Sequence, residues 1–327
     1  MQPATPRVDP RLPGHLLEPL AGGWSGETFL QVPGSGGGDR LVARFFDDAR
    51  HAPGAAGIQA ALLERVRTAL PVPAVHQAHD GDGVLPGLLV TELLPGERGD
   101  LVLARLVSEH REGGRRTAAL SALGTALGRI AGTLAAMPMS RTGLFADATL
   151  RIEPFDLRLP DWVDTHAPRL GQAGWSDGEV ADLRAVAERA AVDLDGAAPC
   201  LVHSDLNPKN VLVDPATLQV TGVLDWEFAH AGHPATDLGN LLRFDREPAY
   251  VDGVLDGWFA GSGANSGGGA DRGSGEPDRR RATDLARAAD LVALIDLAAR
   301  AEANPVVRQA RAHLRAIART GDVNAAP

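Results

Sequence analysis

The chain has very little cysteine, almost no lysine, no long apolar run and no excess of positive charge. The single cysteine, Cys200, excludes an internal disulfide and with it the cross-linked scaffolds of small secreted domains. No run of about 18 apolar residues occurs, so no segment reads as a membrane span. The N-terminal MQPATPRVDPRLPG has no apolar stretch of signal-peptide length. The expectation is a cytoplasmic protein that makes no membrane contact. A net charge of −10 argues against nucleic acid as a partner, because phosphate backbones want a basic face. Cys200 lies in the apolar approach 197–202, where a buried structural thiol is expected rather than a nucleophile.

What is present is concentrated in LVHSDLNPKNVLVDPATLQVTGVLDWE, residues 201–227. Two apolar runs, Val211–Val213 and Val220–Leu224, flank an Asp-Pro-Ala-Thr-Leu turn and read as a β-hairpin. A polar loop, His203 to Asn210, enters it, and Asp225 follows it. A hairpin brings its ends together, so Asp205, Asn210 and Asp225 are expected to converge. Oxygen ligands for Mg²⁺ and a carboxylate that orients an attacking hydroxyl are the parts phosphoryl transfer needs. Among the basic residues the one lysine is Lys209, inside this loop. It either helps neutralise charge on the transferred group or is a solvated loop lysine.

The pattern H-x-D-x-x-x-x-N, a hairpin, L-D-W-E and then Asp237-Leu238 resembles the aminoglycoside phosphotransferase and choline kinase branch of the protein-kinase-like fold. The resemblance implies an α+β, bilobal protein: a small antiparallel-sheet N-lobe and a larger, mainly helical C-lobe. It implies an ATP-dependent (or GTP-dependent) small-molecule O-phosphotransferase with Mg²⁺. Asn210 and Asp225 would hold the metal, Asp205 would receive the acceptor hydroxyl, and Asp237 would brace the loop. Members of this branch phosphorylate aminoglycosides, macrolides, choline, sugars, homoserine and fructosamines. The net negative charge leans toward a cationic antibiotic, hence resistance or self-protection. A metabolite acceptor and a catalytically silent nucleotide-binding module remain open, as does the oligomeric state.

At 327 residues the chain exceeds one ordinary core, in keeping with two lobes. Residues 1–13 read as a loose arm, 14–95 as the nucleotide-binding lobe and 96–327 as the catalytic and acceptor-binding lobe. The Gly- and Ser-rich 261–281 reads as a disordered insert. Strands are expected over 16–20, 28–32, 41–46, 72–79 and 88–93. In the resembling family the Gly-rich turn 21–26 lies over the nucleotide phosphates, which points to Gly23, Ser25, Gly26 and Thr28. Arg44 stands where kinases have the phosphate-gripping lysine. Its helical partner is Gln59 or Glu64, and the two lie about 140° apart around a helix, so only one can face it. The resemblance makes 88–96 the hinge, with the backbone of Glu92 and Leu94 hydrogen-bonded to adenine. Leu120, Leu123, Leu127, Ile130, Leu134 and Met137 recur at helical spacing. Residues 140–176 read as irregular, and 177–192, 283–300 and 305–319 as helices. Asp290, Asp296 and Glu302 are either acceptor-site acids or ordinary surface charges.

Overall fold

The computed structural model describes residues 8–20, 28–33, 40–47, 50–108, 113–155, 158–263, 275–302 and 304–326. It contains two compact units. The first comprises Met1–Val102, Phe145–Glu153 and Lys209–Phe228, and the second Leu103–Leu144, Pro154–Pro208 and Ala229–Pro327.

The first unit is built on an antiparallel sheet of β1 (His15–Pro19), β2 (Thr28–Pro33), β3 (Leu41–Phe46), β4 (Val75–His79) and β5 (Gly87–Glu92), in the order β1-β2-β3-β5-β4. The apolar β3 and β5 are central, where both faces are covered and near-continuous hydrophobic runs are stable. Leu17, Phe29, Ala43, Phe45, Leu88 and Val90 form its core together with Leu12. Strand β4 begins later than the sequence pattern suggests, because Pro71 and Pro73 have no N–H for a ladder. Residues 9–13 depart from the loose arm expected there. Asp9 and Arg11 are ion-paired, Arg11 donates to the Pro86 carbonyl, and Leu12 is buried. Helix α1 (Ala55–Val66) packs on the sheet through Ala56, Gln59, Leu62, Leu63 and Val66. A short strand β6 (Glu97–Arg98) ends this stretch, and α2 (Gly99–Ser108) carries the chain into the second unit.

The second unit holds α3 (Gly113–Ala135), α4 (Leu159–Gln172) and α5 (Asp177–Leu194); between α3 and α4 the chain makes a short ladder of β7 (Leu144–Phe145) with β8 (Ile152–Glu153), most of which belongs to the first unit. Helix α4 corrects the irregular reading of 140–176. Its apolar stripe is Leu159, Val163, His166 and Leu170, and it opens on Pro160, a favoured start residue. The internal Pro168 and Gly171 hide the stripe. Strand β9 (Cys200–Val202) precedes the polar loop. The hairpin β10 (Val211–Val213) and β11 (Val220–Val223) falls back into the first unit, where β10 also pairs with β6. Strand β12 (His230–Gly232) pairs with β9. The chain closes with α6 (Thr236–Leu242), α7 (Pro248–Gly261), α8 (Glu276–Ala299) and α9 (Pro305–Thr320). Helix α8 begins inside the expected insert, started by Pro277 with Glu276 and Asp278 in its first turn.

Helices α3 and α7 meet backbone to backbone. A Cβ at Gly124 or Gly128 would lie 2.3 Å from the Tyr250 carbonyl or 2.0 Å from the Val254 carbonyl, and one at Gly253 or Gly257 would lie 2.3 or 2.2 Å from the carbonyls of Ser121 or Thr125. Helix α3 is apolar enough by length and composition to cross a membrane. Its packing against α7 accounts for that composition. Helices α4, α5, α8 and α9 share a separate core around Trp175, Leu183, Leu291, Ile295 and Leu314.

Candidate active site

In the first unit the hairpin does what its sequence pattern requires. Val211 faces Val223 and Leu212 faces Gly222, and the Leu224 N–H donates to the Asn210 carbonyl at 2.9 Å. Asn210 and Asp225 are thereby carried on the adjoining open ends of one ladder. Asn210 is buried. Asp225 has a φ of 66°, a left-handed conformation that a non-glycine residue holds only when its surroundings impose it. One constraint is visible: Trp226 is buried and donates its indole N–H to the Val223 carbonyl at 3.1 Å.

Arg44 projects from β3, paired across to Thr28 on β2. Its Nη1 donates to Asp225 Oδ1 at 2.7 Å and its Nη2 donates to Glu227. Burial alone would lower the Arg44 pKa, but the two carboxylates outweigh it and hold the guanidinium charged. The Glu227 carboxyl is pushed up by burial and by Asp225, against the pull of Arg44. Neither helical candidate supplies the partner seen here: Gln59 is buried on α1, and Glu64 is half exposed and paired with Arg67 at 3.0 Å. The partner expected at Gln59 or Glu64 is instead the acidic pair Asp225 and Glu227, 181 and 183 positions away in the sequence. Glu92 ends β5 opposite Leu41, and Leu94 packs near Gly222. Lys209 is exposed. Gly23, Ser25 and Gly26 lie outside the described residues.

In the second unit the loop before the hairpin is fixed from below. Asp237, fully buried on α6, accepts the His203 N–H at 2.9 Å and the Ser204 N–H at 2.8 Å. Ser204 has a φ of 64°, and these two bonds hold it there. Asn240, one turn further along α6, accepts the Leu206 N–H at 3.1 Å and donates to Asp290 on α8 at 3.1 Å. The Asp205 N–H donates to His203 Nδ1 at 3.3 Å, so His203 supports the loop. Asn207 donates to Asp205 Oδ1 at 2.7 Å. Asp290 is buried against Arg243, with contacts of 2.6 and 2.8 Å, and is no surface charge. The other two terminal acids do stand at the surface, Asp296 paired with Arg300. Cys200 is buried, and its thiol is pushed up to about 12 by burial and then by Asp237, which makes it inert.

The arrangement thus has a carboxylate on a rigid loop in one unit and an Asn–Asp oxygen pair beside a guanidinium in the other. Sequence reasoning missed Glu227, Asn240 and Arg243, and left Asp290 open between an acceptor-site acid and a surface charge. The signals were there: Glu227 stands two residues after Asp225, and Asp237, Asn240 and Arg243 recur at a helical turn's spacing.

Residues 16–277 match the phosphotransferase enzyme family. The chain belongs to that family. Among solved structures it is similar to a thermostable mutant of aminoglycoside phosphotransferase APH(4)-Ia in ternary complex with ADP and hygromycin B, at 20% identity, TM-score 0.59, covering 93% of this chain and 94% of that one. It is similar to the gentamicin–APH(2")-IIa complex at 14% identity and TM-score 0.59, covering 91% and 90%. It is also similar to macrolide 2'-phosphotransferase MphH from Brachybacterium faecium at 23% identity and TM-score 0.50, covering 95% and 91%. These likenesses show the protein-kinase-like α+β fold. A 45-residue stretch is 47% identical to acyl-CoA dehydrogenase family member 11 of Mus musculus, covering 14% of this chain and only 6% of that relative.

Proposed function

We propose that this phosphotransferase moves the γ-phosphoryl group of ATP to a hydroxyl of a small molecule. The observation that carries the reading is the loop that holds Asp205, whose backbone is fixed on both sides by Asp237 and Asn240. A carboxylate positioned so firmly suits the task of receiving the acceptor's hydroxyl hydrogen and aligning its oxygen for in-line attack. Arg44 is suited to phosphate oxygens, since its planar fork already spans two carboxylates. Thr28 stands beside it, and the backbone of Glu92 and Leu94 is assigned to adenine. Lys209 is exposed in the same loop as Asp205, and its charge suits the transferred phosphoryl oxygens.

The donor set of Asn210 and Asp225, one amide and one carboxylate, suits a hard cation that keeps several waters and phosphate oxygens in its shell. These residues would hold Mg²⁺, which when bound supplies charge neutralisation along the phosphates.

For the acceptor, the net charge of −10 favours a cationic molecule such as an aminoglycoside-like antibiotic. A metabolite kinase is the second reading, favoured by Arg246 and Arg287 of the helical unit, whose Nε–H groups are buried without an acceptor. Neighbours at 14–23% identity share the fold and decide neither.

The test is ADP release from Mg-ATP over a panel of hydroxylated acceptors, with Asp205→Asn as the control. Acceptor-dependent release that the variant lowers by about 10²–10⁴-fold, with ATP affinity kept, supports the reading. Unimpaired transfer by Asp205→Asn overturns it.

A further inference from the structure

Three basic side chains of the second unit meet without a matching set of acids. Arg246 precedes α7, Arg287 lies on α8 and His313 on α9. Arg246 Nη2 donates to His313 Nε2 at 2.8 Å, which makes His313 the acceptor and therefore neutral. Its ring is 2% exposed. The neighbouring guanidiniums and burial agree with that state, the His313 pKa being lowered to about 4. Arg287 donates Nη1 to the backbone and side-chain oxygens of Asn324. The Nε–H groups of Arg246 and Arg287 are buried with no acceptor.

Every nearby acid has other work. Asp290, the acid that reaches Arg246 electrostatically, is bound by Arg243 and Asn240. Glu247 pairs with Arg116 at 2.8 Å. Asp284 accepts from the Asn324 amide and Asp322 from the Asn324 N–H. Asp245 is raised to about 6 by burial alone, with no arginine contributing. Among the described residues neither Arg246 nor Arg287 has an ion pair. The Arg287 pKa is brought down to about 10 by burial and then by Arg246, against the smaller opposing pull of Asp284 and Asp322, so the two arginine charges repel each other and the nearby acids do not offset it. Buried guanidinium donors without acceptors are costly, and an anion is the kind of ligand that supplies acceptors to guanidinium groups and offsets their mutual repulsion.

We propose that Arg246, Arg287 and His313 form an anion site that takes an acidic group, a carboxylate or a phosphate, of the hydroxyl acceptor. The assignment to the acceptor rests on the kinase reading and on location. Asp205 interacts electrostatically with Arg243 and Asp290, and these in turn with His313 and Arg246. The site is thus on the same side-chain network as Asp205. It opposes the pull of the overall charge, because a polycation would meet unpaired guanidiniums there.

The first measurement is isothermal titration of the full chain with inorganic phosphate and, separately, with succinate. Saturable binding in wild type and in Arg44→Gln, weakened at least about tenfold in Arg246→Gln and Arg287→Gln and kept largely by Arg246→Lys, is expected. The arm that binds more tightly names the acid. Arg44→Gln separates this site from the nucleotide phosphates, and Arg246→Lys separates lost charge from a lost fold. No saturable binding of either probe, binding unchanged in both arginine-to-glutamine variants, or binding lost only in Arg44→Gln overturns the site.

The second measurement compares ADP release with glycerol 3-phosphate against glycerol, and with 3-hydroxybutyrate against its methyl ester. Preference for the acidic member, reduced by Arg246→Gln through KM rather than kcat, is expected. Equal use of both members overturns the link to the acceptor. No ADP release with any acceptor, while phosphate or succinate binding still depends on Arg246, is a failure of the kinase reading and leaves the anion site standing.

Discussion

Arg44 Nη1 holds Asp225 Oδ1 at 2.7 Å, and the same guanidinium also engages Glu227. The strand residue suited to gripping phosphate is thereby tied to the residue suited to holding a cation. Nucleotide and cation entering together would exchange this ion pair for two new ones, phosphate on Arg44 and metal on Asp225. Arg44→Ala is therefore expected to weaken ATP binding about tenfold to hundredfold, the loss of one or two charge-assisted hydrogen bonds at about 1.5–3 kcal/mol. Asp225→Ala should act differently: ATP affinity should become the same with and without Mg²⁺. Calorimetric titration of each variant with ATP, with Mg²⁺ and with EDTA, checks both. A magnesium-dependent affinity retained by Asp225→Ala would remove Asp225 from the metal.

The Asp290–Arg243 pair is buried on both sides, 2% and 7% exposed. Removing one partner strands the other charge in the core, which is expected to destabilise by about 3–5 kcal/mol. Asp290→Ala should show this in urea denaturation, whereas the apolar double replacement Asp290→Leu with Arg243→Leu should recover much of it. Asn240→Ala should remove the acceptor of the Leu206 N–H and lower kcat more than stability. A double replacement no more stable than Asp290→Ala would refute the stranded-charge account.

The sheet of the first unit was legible because β3 and β5 are apolar runs and the turns carry glycine or proline. The hairpin and its two oxygen-bearing ends were legible because two apolar runs flank a short turn. Asp237 was placed under the loop by the family resemblance alone. What could not be read were partners distant in sequence. Arg44 and Asp225 are separated by 181 positions, and no local pattern couples a strand residue to a hairpin end. Asp290 carries no mark in the sequence of a buried acid, since α8 presents charges on several faces and only packing decides which are covered. Helix α4 was missed because Pro168 sits inside it.

Glycines on α3 provide a test with opposite signs on one helix. A Cβ at Gly128 would lie 2.0 Å from a backbone carbonyl of α7, whereas one at Gly114 meets nothing within 4 Å. Gly128→Ala must push the helices apart and is expected to destabilise by about 3 kcal/mol or more. Gly114→Ala restricts the unfolded chain and improves helix propensity, so it is expected to stabilise by about 0.4–1 kcal/mol. Thermal or urea denaturation of the two variants checks the pair, and a Gly128→Ala protein as stable as wild type would mean the α3–α7 contact is looser than described.

Acid sensitivity follows from the buried histidines. His233 and His313 both fall to about 4, His233 by burial and His313 by burial with help from the arginines around it, against 6.5 unperturbed. Between these values the unfolded chain binds more protons than the folded one, so stability rises with pH across that window. The contribution is complete above about pH 6.5 and is lost as the pH falls toward 4, on the order of 3 kcal/mol for each ring. Asp245 works against it: raised to about 6 from 3.8 by burial, it stabilises at low pH and withdraws that stability as the pH rises from 3.8 to 6. Glu227, Asp237 and Asp290, also raised by burial, oppose the histidines in the same direction as Asp245. His313→Gln keeps an acceptor for Arg246 but cannot take up a proton, so its plot of unfolding free energy against pH should be shallower than wild type between pH 4 and 6.5. Equal slopes would place the acid sensitivity in His233 and the carboxylates and deny His313 its neutral, accepting role beside Arg246.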